Sequence, residues 1–291
     1  MISVVLTLSK DPIIAEKSVK AILKNNVKED CELIILISDN EKEKIIKKFK
    51  KDNFKIIVLK NTKRDTRFNL NNIFKILNGR IWIFTGGNAY VDEDSLLKII
   101  KAFSDKKVGC VVGRPVSINK KTEMLGFWSH LLFEAGAHAI RKKLGDKGKF
   151  LEGTDYLFAF KNNITRNVPL NVAMDSIIPY LTTKKGYKIK YLEEAKVFVE
   201  NPTILKNFIN QKIKAAKSHE YLESYAPFFP KMKSFRNEIK MGTFEALRYS
   251  SNFKEFFWTI ALFFIRLYIW IKVKIDTKIL KKNIFSSNNN T

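Results

Sequence analysis

Short apolar runs alternate with helically spaced apolar positions through the first half of the chain. Residues 2–8, 33–37, 56–59, 81–85 and 108–112 are rich in β-branched and aromatic residues and are bounded by polar segments, so they read as strands. Between them, residues 13–23 put Ile13, Ile14, Val19, Ile22 and Leu23 at helical spacing, and residues 42–51, 68–77 and 96–103 predict further helices. The β-α-β-α order implies a mostly parallel sheet flanked by helices. Ligands in such sheets bind beyond the C-terminal ends of the strands. That rule gathers residues 8–11, 38–40 and 86–88 around one crevice.

The second half has a different grain. Residues 124–144 predict one long helix, 156–160 a strand, and 175–184 a helix stopped by Lys185-Gly186. Residues 187–192 and 196–199 read as strands. Pro202-Thr203 opens a helix that runs to about residue 221, and Pro227 and Pro230 mark a linker. The reading is therefore two regions: an α/β domain over 1–222 and a basic, aromatic, helical region over 223–291. The polar tail 286–291 is terminal and adds no core.

Charge changes this picture. The chain has 291 residues, is 45% apolar and carries a formal net charge of +24. The apolar share suits a sizeable core. The charge favours anionic partners. Aromatic residues cluster in apolar runs and do not alternate with basic ones, so no nucleic acid is expected. Residues 256–273 are apolar except for Thr259, Arg266 and Lys272. That run falls short of the about 20 residues of a span, and an arginine near its middle is costly in hydrocarbon. A helix lying in an anionic membrane surface fits better; a helix packed inside protein stays open. No secretory signal is expected, since the apolar run at residues 1–6 is too short for one. The expected location is the cytoplasmic face of a membrane, peripheral or monotopic. Cys31 and Cys110 sit beside predicted strands and read as reduced, buried thiols.

Three constellations could carry chemistry. Thr85-Gly86-Gly87-Asn88 closes a buried strand, and two glycines there allow a ligand close to backbone; a plain tight turn is the rival reading. Asp175 opens a helix, as a cap or as a functional carboxylate. His130, Glu134 and His138 recur every four residues on a predicted helix, which suits either a zinc site or the polar stripe of an amphipathic helix.

The order of motifs resembles family 2 glycosyltransferases of the Rossmann-like GT-A fold. Val4-Val5-Leu6-Thr7-Leu8 corresponds to the opening strand and donor loop, Ser38-Asp39-Asn40 to the base-contacting turn, and Asn69-Leu70-Asn71-Asn72 to the helix before the central strand. Val91-Asp92-Glu93-Asp94-Ser95-Leu96 and Val108-Gly109-Cys110-Val111-Val112-Gly113 follow in family order. Asp175 falls at the catalytic base, and Lys185-Gly186-Tyr187 and Glu194-Ala195-Lys196-Val197 come after it. Gln211-Lys212-Ile213-Lys214 is similar to the Gln-x-x-Arg motif of membrane-associated members, with lysine for arginine. His138 and Arg141 reproduce a His-x-x-Arg, for which the resemblance implies an acceptor-side role.

The resemblance implies an inverting glycosyltransferase using a nucleotide-diphosphate sugar. Thr7, Ser38, Asp39, Asn71, Gly86, Gly87, Asn88, Gln211 and Lys214 would hold the donor. Asp175 would take the acceptor proton. A lipid-linked, polyprenyl-phosphate-linked or membrane-proximal glycan would be the acceptor. It also implies Mg or Mn at an Asp-x-Asp turn. Here those positions are Gly86 and Asn88, which leaves Asn88 as the one candidate ligand in the turn. Either cationic side chains (Lys63, Arg64, Arg67, Lys212, Lys214) take the metal's part, or the domain binds nucleotide sugars and transfers weakly or not at all.

Overall fold

The structure is a computed structural model that describes residues 1–8, 11–37, 46, 48–60, 66–169, 172–220, 222–226, 232 and 234–279. Of the helix expected over 42–51, residues 42–45 and 47 lie outside these residues, and 48–51 are turn and coil that end in a bridge from Lys51 to Phe54, so no helix is seen there. The chain divides into two compact units. The first comprises Met1–Val116, Gly153–Leu170 and Ile178–Val199; the second comprises Ser117–Glu152, Asn171–Ile177 and Glu200–Thr291.

The first unit is built on an eight-stranded sheet. Its strands are β1 (Ile2–Thr7), β2 (Cys31–Ile37), β3 (Phe54–Lys60), β4 (Ile81–Thr85), β5 (Ala89–Val91), β6 (Val108–Ser117), β7 (Leu157–Lys161) and β8 (Lys188–Val199), in the order β3-β2-β1-β4-β7-β6-β8-β5. The block β3-β2-β1-β4 is parallel. Ile2, Val4, Val5 and Leu6 are all buried, so β1 is covered on both faces, as a parallel strand must be. The other half is not parallel: β7 runs antiparallel to β4 and β6, and β5 antiparallel to β8. The sheet is mixed α/β because β7 enters beside β4 from a later part of the chain.

Local sequence accounts for the elements. Helix α1 (Pro12–Lys24) starts at Asp11, whose carboxylate accepts from the backbone N–H of Ile13 at 2.8 Å and Ile14 at 3.2 Å, with proline at the first helical position. Helix α2 (Thr66–Ile76) precedes β4. Gly79, between α2 and β4, has a packing reason: a Cβ there would stand 2.4 Å from the backbone nitrogen of Ser3. Beside it, the buried Glu32 carboxylate accepts from Ser3 Oγ at 2.5 Å and from the Asn78 N–H at 2.7 Å. The acidic residues 92–94 lie between a strand and a helix. Ala89–Val91 pairs with β8, and helix α3 (Ser95–Ala102) begins only after the acidic residues. The strands expected over 187–192 and 196–199 are one strand, β8, which carries Glu193 and Glu194 through. Cys31 and Cys110 are buried free thiols; burial pushes Cys31 up to about 11 and Cys110 higher still.

The second unit is helical. The helix expected over 124–144 is three pieces: α4 (Met124–Phe133), a π-helical turn (Glu134–His138) and α5 (Ala139–Asp146). The wider turn shifts His138 off the stripe begun by His130 and Glu134. Helix α6 (Met174–Lys184) starts in this unit with Asp175 in its first turn. At its far end Gly186 has φ +77°, and the N–H groups of Gly186 and Tyr187 close on the carbonyls of Thr183 and Thr182. The unit also holds helix α7 (Leu205–Glu220), a second π turn (Glu238–Gly242), α8 (Thr243–Tyr249) and α9 (Phe253–Lys274), which runs on into a third π turn (Ile275–Ile279). Its core joins Phe127, Trp128, Leu131, Phe208, Ala246 and Leu262.

Helix α9 is long and apolar enough to cross a membrane. It is not apolar all round in use. Thr259, Leu262, Ile269, Trp270 and Val273 are buried within the unit, while Phe257, Phe264, Tyr268 and Ile271 are exposed on another face. Arg266 does not stand alone in this run: Nε and Nη2 donate to Glu238 at 2.5 and 2.6 Å, and Trp270 Nε1 donates to the same carboxylate at 2.7 Å.

Candidate active site

In the first unit the C-terminal ends of the parallel strands β1, β2 and β4 lie together. Leu6 pairs with Thr85 and Thr7 with Leu36, so Thr7, the turn after β4 and the end of β2 lie side by side. Thr85 Oγ1 donates to the Tyr156 carbonyl at 2.8 Å and fixes the base of the turn. A Cβ on Gly86 would come within 3.3 Å of the Asp155 carbonyl, so the turn is tight against the chain that leads into β7. Ser18 Oγ donates to the Gly87 carbonyl at 3.4 Å. Ser38 and Asp39 lie outside the described residues. Asn71 uses its amide on backbone: Nδ2 donates to Val168 O at 3.0 Å, and Oδ1 accepts from Val168 N at 2.9 Å. That is a clamp between α2 and the loop after β7.

Among the described residues no group of three or more His, Cys, Asp or Glu side chains gathers as a metal cage. The turn still offers oxygen. Asn88 supplies an amide, and Asp155, an exposed residue, has its backbone carbonyl packed against Gly86. One carboxylate and one amide suit a cation that keeps waters and leans on substrate phosphates, as Mg²⁺ does. Asp155 was not singled out by sequence, since nothing marks it until β7 is set beside β4.

The second unit surrounds Asp175 with polar side chains. Asp175 is 2% exposed and His219 7% exposed. His219 Nε2 stands 3.7 Å from Asp175 Oδ2, and its Nδ1 stands 3.0 Å from Glu152 Oε2. Ser176 Oγ donates to Glu152 Oε2 at 2.9 Å and also meets His219 Nδ1. Glu152 is anchored in turn by the Met232 N–H, at 2.8 Å, and its carbonyl accepts from Arg141 Nε at 3.2 Å. An imidazole that donates through Nδ1 to a carboxylate presents Nε2 to Asp175. That nitrogen stays 3.7 Å from the carboxylate, longer than a direct hydrogen bond. Arg141 joins this cluster through Glu152, whereas His138 is half-buried in the π turn. His130 instead bonds the Asn119 carbonyl at 2.8 Å. Sequence reasoning missed Glu152 and His219. The available signal was that His219, one of only three histidines, follows Phe208, Lys212 and Ala216 at helical spacing on α7.

On the same helix, Gln211 buries its amide oxygen with no hydrogen-bond partner among the described residues, and Lys214 is exposed. Lys212 lies over the rings of Phe208 (5.1 Å) and Phe133 (5.9 Å). Burial, with Arg266 nearby, lowers its ammonium to about 8 despite Glu238.

The family model for glycosyl transferase family 2 matches residues 9–161. The chain belongs to that family. This glycosyltransferase shares its fold with the mannosyltransferase PcManGT from Pyrobaculum calidifontis, solved in complex with GDP-Man and Mn²⁺: TM-score 0.59, 14% identity, 96% of this chain and 81% of that one. It also aligns with TarS of S. aureus at TM-score 0.49 and 11% identity, over 94% of this chain and 55% of that one. No curated protein matches it. The GT-A fold expected from the motifs is thus the fold found, and the chain is a glycosyltransferase of the kind that uses nucleotide sugars.

Proposed function

We propose that this glycosyltransferase inverts the anomeric centre as it moves a sugar from a nucleotide-diphosphate donor to a hydroxyl of a lipid-linked or membrane-proximal glycan. The observation that carries the reading is the buried Asp175–His219–Glu152 cluster. The acceptor oxygen attacks the anomeric carbon, the bond from that carbon to the diphosphate oxygen breaks, and the diphosphate leaves with the electron pair. Asp175 takes the acceptor proton as the new bond forms. His219 orients that carboxylate, and Glu152 with Ser176 orients His219.

The donor's diphosphate would meet the Gly86-Gly87-Asn88 turn, with Thr7 beside it. A bound Mg²⁺ or Mn²⁺ would neutralise the leaving diphosphate; Asn88 and Asp155 are the residues to hold it. Gln211 and Lys214 are assigned to the donor by motif, and the buried amide oxygen of Gln211 supports a ligand role there. Membrane proximity rests on the exposed aromatic face of α9 and the net charge of +24.

Turnover of a nucleotide-sugar panel, GDP-mannose included, tests the reading with Asp175→Asn as control. A loss of about 10²-fold or more is expected, with donor binding by calorimetry unchanged. Undiminished turnover removes Asp175 from the chemistry. A second reading, a domain that binds nucleotide sugars without transfer, is favoured by Gly86 and Asn88 in the metal turn. Tight binding with no turnover, with or without manganese, would establish it.

A further inference from the structure

The second unit contains an apolar cavity of about 320 Å³ that the sugar chemistry does not use. That volume is at the lower end of small-ligand pockets, roughly 300–1,000 Å³. Its floor is buried and apolar: Leu131 (2% exposed), Ala246 (5%) and Leu262 (1%). Its mouth is also apolar but open to solvent, with Phe235, Ile239 and Leu267 all exposed. The charged groups on its wall are already spent: Glu238 holds Arg266 in a two-point pair and accepts from Trp270. A sugar or nucleotide in this cavity would lose its water and find few partners, at a cost of about 1–3 kcal/mol for each polar group left unpaired. A hydrocarbon loses nothing.

Two backbone irregularities make the space. Each π-helical turn contributes one glycine to the lining, Gly136 from Glu134–His138 and Gly242 from Glu238–Gly242. A Cβ on Gly136 would meet only the tip of Leu132 at 3.9 Å, and one on Gly242 would meet nothing within 4 Å. Neither glycine is required by crowding or by its backbone angle, so filling either is sterically permitted. π turns are uncommon and often occur at functional sites; two of them opening one cavity is a second sign that the space is used.

The mouth indicates what enters. Leu267 lies one turn from Phe264 and Ile271 on the exposed face of α9, so the cavity opens onto an apolar surface. Arg236 and Lys240, both exposed, directly follow the lining residues Phe235 and Ile239 in sequence. We propose that this cavity takes one hydrocarbon chain of an anionic, phosphate-bearing lipid, with the head group held by Arg236 and Lys240. The proposal rests on the membrane-proximal reading above and adds a binding site to it. The site fixes a lipid by its chain and its charge, independently of any sugar.

The test uses the full chain and two monomeric probes, bromodecyl phosphate and bromodecanol, whose bromine quenches tryptophan on contact. Trp270 lines the cavity. Saturable loss of the emission of one of the four tryptophans is expected, with the phosphate probe about tenfold tighter than the alcohol if Arg236 and Lys240 hold its head as proposed. Gly136→Leu and Gly242→Leu, made separately, should each abolish saturation while the thermal midpoint stays at or above wild type. No saturable quenching in wild type, or saturation retained in both filled variants, overturns the cavity assignment. Equal affinity for both probes overturns the anionic head group. A dimer that forms with concentration and is dissolved by filling the cavity would give the site to a second copy of the chain, and overturns the proposal. Flotation with anionic vesicles reads the underlying membrane association separately: quenching without flotation supports the cavity and sinks that association.

Discussion

Lys212 sits where an ammonium is least welcome, and replacing it with methionine should make the protein more stable. Burial together with the positive Arg266 lowers the group from 10.5 to about 8, with Glu238 pulling the other way. Each pH unit of that displacement corresponds to about 1.4 kcal/mol, so holding the charge costs about 3 kcal/mol in the folded state. The rings of Phe208 and Phe133 return about 1–2 kcal/mol through cation–π attraction. Lys212→Met should therefore gain about 1–2 kcal/mol at pH 7. The sign with pH follows from the lowered value. Below pH 8 both states carry the charge and the penalty is complete. Between 8 and 10.5 the folded state sheds its proton first, so wild type gains on the variant as pH rises. Above 10.5 the advantage of methionine through charge is gone. Urea unfolding at pH 7 and pH 10.5 measures both ends. A variant no more stable than wild type at pH 7, or a gap that ignores pH, refutes the reasoning. Loss of donor binding in the same variant would show instead that the ammonium serves the diphosphate.

Two further substitutions probe the first unit. Burial pushes the Glu32 carboxyl up, but hydrogen bonds from Ser3 and Asn78 overcome this and hold it below its ordinary value. Its contribution is present above about pH 4.5 and fades as pH falls through the lowered value. Glu32→Gln should cost about 1–3 kcal/mol at pH 7, with the gap narrowing in acid; an equal gap at pH 3 in urea melts would count against it. Gly79→Ala would drive a Cβ to 2.4 Å from the Ser3 backbone. It should lose about 1–3 kcal/mol, and an unchanged thermal midpoint would contradict the packing described.

The strands β1, β2 and β4 were legible because period and burial agree: a strand covered on both faces must be apolar at every position, and Ile2–Thr7 and Cys31–Ile37 nearly are. The turn at Gly86-Gly87-Asn88 was legible for the same reason, as the polar stop of such a run. The antiparallel half was not, since the neighbour of β4 is set by where Leu157–Lys161 returns, which local pattern does not encode. The Asp175 surroundings were half legible. Asp175 stood out through motif order. Glu152 and His219 come from distant segments, and only tertiary packing makes a lone glutamate and a lone histidine into partners. The helix over 124–144 failed in one respect: a π turn leaves the apolar content unchanged and alters only the angle between its two ends.

That angle has a consequence. An α-helix advances about 100° per residue, and the turn Glu134–His138 accommodates one more residue than α-helical winding would. Every side chain after it, Arg141 included, is aimed accordingly. The contact between Arg141 and Glu152 is thus written in the count of residues as well as in their identity. A chain with the same side chains and one residue fewer in that turn would keep the helix and turn Arg141 away from the carboxylate cluster. In this part of the molecule, length is information.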